Sequence, residues 1–129
     1  MRALLDTHVW LWMLTDPERL GGVRQLIEDA GTELMLSAAS SWEISIKYSI
    51  GRLALPEPPN AYLPERIRSS GVVPLAIEHW HVSLVSELPF HHRDPFGRLL
   101  VAQAQSLQVP LLTADSAFDR YAVRVIRVG

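Results

Sequence analysis

Asp6, Glu43, Asp94 and Asp115 come from four separated segments, and each stands where a strand or helix begins or ends. Carboxylates brought close together repel, and one is forced to take up a proton unless a cation lies between them. Hard divalent ions such as Mg²⁺ or Mn²⁺ accept this all-oxygen kind of donor set. An ion so held acidifies water and stabilises the charge that develops when water attacks a phosphodiester in line. That chemistry needs several acids and no special nucleophile. The sequence offers little else that is catalytic. It has no cysteine, Ser40-Ser41 lack a base, and no G-x-S-x-G elbow is present. Gly21-Gly22 and Gly51 lack the spacing and the GK[ST] ending of a phosphate loop.

The elements that carry these acids alternate between strand and helix. Ala3-Leu4-Leu5 is a short apolar run followed by the capping pair Asp6-Thr7, and Val9 to Leu14 reads as helix. A second helix is expected from Pro17 or Gly22 to Ala30, then a strand at Leu34-Met35-Leu36. Ser40 and Glu43 have the spacing of a capping box, which puts Glu43 in the first turn of a helix closed by Gly51. The Pro56-Glu57-Pro58-Pro59 stretch reads as a loop, and Asn60 caps a helix to about Ser70. Val72 to Leu75 reads as an edge strand and Glu78 to Leu88 as helix. Asp94-Pro95 starts another helix, with Asp at the N-cap and Pro at N1, running to about Gln108. Leu111 to Thr113 is a strand, Ser116 to Tyr121 a helical turn, and Val123 to Val128 a last strand.

This order argues an α/β fold, a mostly parallel sheet with helices on both faces. Ligands of such sheets sit beyond the carboxyl ends of the strands. Asp6 and Asp115 directly follow strands, so the four acids are expected on one rim. Each also has a purely structural job open to it. Asp6, Asp94 and Asp115 can cap helices, and Glu43 can serve Ser40 or pair with Lys47 at i,i+4. The histidines are weaker candidates: His79 and His81 face different sides of a helix, and His91-His92 fall in a loop. Trp10, Trp12, Trp42 and Trp80 read as core or interface residues.

Composition bounds the rest. The 129 residues suit one domain spanning 1–129, and with 48% hydrophobic and 20% charged residues intrinsic disorder is excluded. A formal charge of −2 is no general attractant for nucleic acid. No apolar stretch approaches the roughly 18 residues of a membrane span. No secretory leader pattern opens the chain, so the expected setting is soluble and cytoplasmic.

Four blocks together carry a resemblance. They are Leu4-Leu5-Asp6-Thr7-His8; Ser37-Ala38-Ala39-Ser40-Ser41-Trp42-Glu43-Ile44-Ser45-Ile46-Lys47; His92-Arg93-Asp94-Pro95-Phe96 with Arg98-Leu99-Leu100-Val101-Ala102-Gln103-Ala104; and Leu112-Thr113-Ala114-Asp115. In this order and spacing the chain resembles the PIN domain, and more narrowly a VapC-type toxin of a bacterial toxin–antitoxin pair. The resemblance implies a three-layer α/β/α sandwich and a Mg²⁺- or Mn²⁺-dependent endoribonuclease that cuts structured RNA, transfer or ribosomal, and so blocks translation. It implies a homodimer and a VapB-like antitoxin that inserts a basic side chain into the acidic pocket. By position it makes Asp6, Glu43 and Asp115 metal-holding and catalytic acids, with the Thr7 and Thr113 hydroxyls orienting them. Asp94 is retained as a fourth catalytic acid, and Arg93 and Arg98 beside the acidic rim are candidates for RNA phosphate contacts or plain surface charges.

The departure is Gly97. Relatives with this block usually carry Asp there, and glycine in a helix costs about 1 kcal/mol relative to alanine. Either Gly97 impairs this copy, or three acids with Asp94 suffice. A module of the same fold that holds RNA or antitoxin without cutting is the alternative reading. A phosphoacceptor signalling domain is a third, opposed by the lone Asp6 after the first strand and the mid-helix position of Lys47.

Overall fold

A computed structural model describes all residues, 1–129. Five strands form one sheet: β1 (Arg2–Leu5), β2 (Glu33–Ser37), β3 (Val73–Leu75), β4 (Leu111–Thr113) and β5 (Val125–Arg127). Every pairing is parallel, in the order β3-β2-β1-β4-β5. The helices are α1 (Thr7–Thr15), α2 (Arg24–Glu28), α3 (Ala38–Ser49), α4 (Pro59–Ser70), α5 (His79–Leu84) and α6 (Pro95–Leu107).

Side chains alternate across a strand, so a sheet covered on both faces feeds two cores. Leu4, Met35 and Leu111 point into one, against Leu99, Leu100 and Ala104 of α6. Ala3, Leu5, Leu34, Leu36 and Leu112 point into the other, against Val9 and Trp10 of α1 and Ile44 of α3. The layered α/β fold expected from the alternation, and the three-layer α/β/α sandwich implied by the resemblance, are therefore present, with a sheet that is wholly parallel. The two exposed tryptophans, Trp42 and Trp80, are outside both cores.

Several element boundaries differ from the sequence expectation. Pro17–Val23 is a 3₁₀ segment broken at Gly21, where φ is +62°, so only Arg24–Glu28 is α-helical. Glu78 to Leu88 divides into α5 and a 3₁₀ turn over Val85–Glu87. The expected capping box at Ser40 and Glu43 does not form. Ser37, the last residue of β2, caps α3 by accepting the Ala39 N–H at 3.0 Å. Glu43 therefore lies in the second turn, and buried Ser40 is turned to a tertiary partner, the Thr7 hydroxyl 2.9 Å away. Ser37→Ala is expected to lower unfolding free energy by about 1 kcal/mol in urea titration, the usual value of an N-cap. A loss at Ser40→Ala as large as that at Ser37→Ala would contradict this assignment.

Candidate active site

The chain leaves β1 for β2 on one side and returns much later to β4 on the other. Such a switch point opens a crevice at the carboxyl ends of the strands. A cavity of about 350 Å³ lies there, lined by Asp6, Glu43, Asp94 and Asp115, with Thr7, His8, Lys47, Arg52, His92 and Phe118 among the other walls. All four acids expected on one rim thus share one cavity.

Each acid arrives by a local rule. Asp6 ends β1 and caps α1, its Oδ1 accepting the Thr7 N–H at 2.8 Å. Asp115 follows β4 and accepts the Ala117 N–H at 2.9 Å. Asp94 caps α6 through Oδ1, which accepts the Phe96 N–H at 3.0 Å. Glu43 is carried inward by α3 and is buried. Two hydroxyls tie the acids together. Thr113 donates to Asp6 Oδ2 at 2.7 Å and accepts the Asp115 N–H at 3.0 Å. Thr7 has a single hydroxyl proton, which goes to Glu43 Oε1 at 2.6 Å, since a carboxylate can only accept. The other Glu43 oxygen faces Lys47 Nζ at 2.6 Å.

Two histidines complete the wall, and backbone amides fix their tautomers. His92 Nδ1 accepts the Asp94 N–H at 3.0 Å, so Nε2 carries the proton it gives to Asp115 Oδ2 at 2.9 Å. His8 Nε2 accepts the Ala114 N–H at 3.1 Å, which leaves Nδ1 to carry a proton toward Asp6 Oδ2, 3.4 Å away. The sequence singled out His91 and His92 only as a weak loop pair and passed over His8. A histidine directly after the strand-end acid was the one available signal.

Arg98 is a correction. Its guanidinium is buried and both terminal nitrogens donate to the carbonyls of Val85, Leu88 and Pro89, so the fork is turned into the protein and not toward a phosphate. The reason is its helix: Gly97 to Ala104 of α6 is buried on all sides. With the Tyr121 hydroxyl, which accepts the N–H groups of His91 and His92, Arg98 pins the loop that delivers His92 and Asp94. Arg93 is exposed in that loop and makes no ion pair.

Gly97 faces the ring of Phe118. A Cβ there would stand 3.0 Å from Phe118 Cζ and 3.3 Å from Cε1. The buried phenyl ring occupies the space that a side chain at position 97 would need. Any acid placed there must first push the ring back by a few tenths of an ångström.

The donor set fits a hard divalent ion, because every acid supplies oxygen and no thiolate is present. No three of the acid and histidine side chains converge into a finished cage. Mg²⁺ tolerates this, since it commonly keeps several waters and uses one or two carboxylates. Electrostatics agree. Burial is the largest influence on Asp6 and pushes its carboxyl above the ordinary range; Glu43 adds to the push, while His8, Thr113 and the Thr7 N–H oppose it. Asp115 is drawn below its ordinary value: burial, again the largest single influence, pushes up, but the Ala117 N–H, His92 and His8 together outweigh it.

The folded chain thus holds the Asp6 proton more tightly than the unfolded chain does. Ionised Asp6 costs stability above both pKa values, and the cost vanishes as pH falls below the unfolded one. Asp6→Asn keeps Oδ1 as acceptor for the Thr7 N–H, turns the group facing the Thr113 hydroxyl from acceptor into N–H donor, and removes the charge. In metal-free protein it is expected to raise Tm at pH 7 and to leave Tm unchanged near pH 3, as calorimetry reads it. A lower Tm at pH 7 would contradict the assigned cost of burying the Asp6 charge.

The profile of the PIN domain matches residues 3–124. Ribonuclease VapC22 of Mycobacterium tuberculosis is 34% identical over 117 residues, 88% of this chain and 86% of that one. Ribonuclease VapC16 of the same organism is 43% identical over 60 residues, 46% of this chain but only 43% of that one. Among solved structures the fold is similar to VapBC2 of Rickettsia felis bound to a promoter DNA fragment, with TM-score 0.73, 14% identity and full coverage of both chains. It is also similar to DNA-bound VapBC of Salmonella typhimurium, with TM-score 0.69, 17% identity and 98% coverage of each. At these identities the structures speak for the fold alone, whereas the profile match and the long alignment reach the sequence itself. The chain belongs to the PIN domain family, and within it to the VapC type.

Proposed function

We propose that this protein is a metal-dependent endoribonuclease of the VapC kind, held in check by a VapB-like antitoxin. The observation that carries the reading is the convergence of Asp6, Glu43, Asp94 and Asp115 on one cavity at the switch point of the sheet. The likeness to a mycobacterial ribonuclease over most of both chains supports the choice of RNA. Structured RNA, transfer or ribosomal, is the proposed substrate, and a homodimer the proposed assembly. A basic side chain from the antitoxin suits a cavity with this many carboxylates, which an arginine can engage bidentately. No helix is long and apolar enough to cross a membrane, and a cytoplasmic site of action remains part of this proposal.

Asp6, Glu43 and Asp115 are the residues that would hold Mg²⁺ or Mn²⁺. When bound, the ion supplies positive charge against the scissile phosphate and makes nearby water more acidic. The chain's own groups do the remainder. Thr7 and Thr113 hold Glu43 and Asp6 in fixed rotamers. Asp94 Oδ1 is engaged by the Phe96 N–H, and Oδ2 accepts no hydrogen bond from the protein. We assign Oδ2 as the base that takes the proton from water. Water oxygen bonds to phosphorus, the bond from phosphorus to the leaving ribose oxygen breaks, and that oxygen takes a proton from solvent.

The second reading, a module that binds RNA or antitoxin without cutting, rests on Gly97 and the phenyl ring that fills its place. Digestion of total RNA in Mg²⁺, Mn²⁺ or EDTA separates the two. The parent chain is expected to cut and to be stopped by EDTA. Asp94→Asn is expected to slow it by at least about a hundredfold, the lower end for a lost general base. Cleavage by Gly97→Asp with Phe118→Leu, but not by the parent, would identify this copy as impaired. Failure of both, with each folded, would favour the binding module.

A further inference from the structure

The cavity is not acidic throughout. Lys47 and Arg52 line it together with its excess of carboxylates, in a chain that has just one lysine. The two cations are in different situations. Lys47 is committed, with its ammonium 2.6 Å from Glu43 Oε2. The Arg52 guanidinium, although four acids share its cavity, makes no ion pair.

The end of α3 explains how Arg52 comes to be there. The helix closes in a Schellman motif: the Gly51 N–H donates to the Tyr48 carbonyl at 3.1 Å and the Arg52 N–H to the Lys47 carbonyl at 2.8 Å. Gly51 has φ of +76°, a left-handed conformation that side chains disfavour. This reversal folds the chain back, and Arg52, exposed to solvent, stands at the edge of the cavity it lines.

A cavity of carboxylates repels the backbone of RNA, so a substrate phosphate beside the reacting one needs a counter-charge of its own. A free guanidinium is suited to that task, since its planar fork pairs two donors with two phosphate oxygens. We propose that Arg52 binds an RNA phosphate next to the scissile one, while Lys47 positions Glu43. The assignment rests on the nuclease reading for its substrate, and it replaces Arg98 as the phosphate contact near the acids.

The test is anisotropy titration of a fluorescein-labelled RNA stem–loop between about 50 and 200 mM salt, in EDTA and again in Ca²⁺. Arg52→Gln, Arg52→Lys and the distant Arg124→Gln are compared with the parent. Loss of one charged phosphate contact should weaken binding about tenfold in Arg52→Gln. The slope of log affinity against log salt should fall by about 0.7–0.9, the share of one phosphate. Arg52→Lys should recover part of both, and Arg124→Gln neither. In cleavage with Mg²⁺, Arg52→Gln should raise KM with kcat kept within about twofold, the mark of uniform binding. Affinity and salt slope unchanged in Arg52→Gln, beside a parent that binds RNA, would overturn the role of Arg52 and leave the nuclease reading intact. A folded parent that neither binds nor cuts RNA would overturn both.

Discussion

The position of β1 governs this molecule. It is the middle strand of an all-parallel sheet, its neighbours lie on opposite sides, and every strand ends on the same rim. Loops that leave such a rim diverge above the switch point, and whatever polar groups begin them face one another. Asp6 and Asp115 face each other because β1 pairs with β4 in the register Leu5 to Leu112. The Thr113 hydroxyl, reaching Asp6 across that pairing, is the link between the two strand ends. Glu43 and Asp94 are brought in by helices that start from the same rim. A cluster of carboxylates would scatter if its members stood on mobile loops. Here each is tied down by a cap amide or a threonine hydroxyl, so repulsion among them is met by rigid, hydrogen-bonded backbone.

Much of this arrangement could be read in the chain itself. Short apolar runs separated by helical periods forced a layered α/β fold, and acids at strand ends forced a rim. Asp94 before Pro95 was legible because the cap and the N1 proline are local devices. What stayed hidden depends on long-range contacts. Ser40 and Glu43 satisfy the local rule for a capping box, yet Ser40 is used by Thr7, and the start of α3 falls to Ser37. Arg98 looked like a surface charge because arginine usually is one, but it sits in the most buried stretch of α6 and serves three carbonyls. The tautomer of His92 depends on an amide two residues away and on Asp115 at a remote strand end. Arg52 is aimed by the left-handed backbone of Gly51, which composition alone does not announce.

The contact between Gly97 and Phe118 shows packing and charge competing for one place. Phe118 belongs to the core beneath α6 and also forms a wall of the cavity. His92 lies against the same ring, with centroids 5.2 Å apart. A carboxylate at position 97 would add charge to a crowded site and would cost apolar packing in the core below. Glycine settles the competition in favour of packing. The aromatic ring, the histidine it supports and Asp94 then share the side of the cavity where another acid would have stood.

The hydrogen bond from Thr113 to Asp6 joins residues 107 positions apart. While the chain is being made, Asp6 must wait for those 107 further residues before its partner exists. Chains are made at about 5–20 residues per second, so that wait lasts many seconds. Until β4 docks beside β1, the strand has no neighbour on that side, and the acids of the two ends are not in one place. A nascent chain on the ribosome therefore carries no assembled cavity, however much of its amino-terminal half has folded. Whatever the cavity does begins only after Thr113 and Asp115 have been made and β4 has docked.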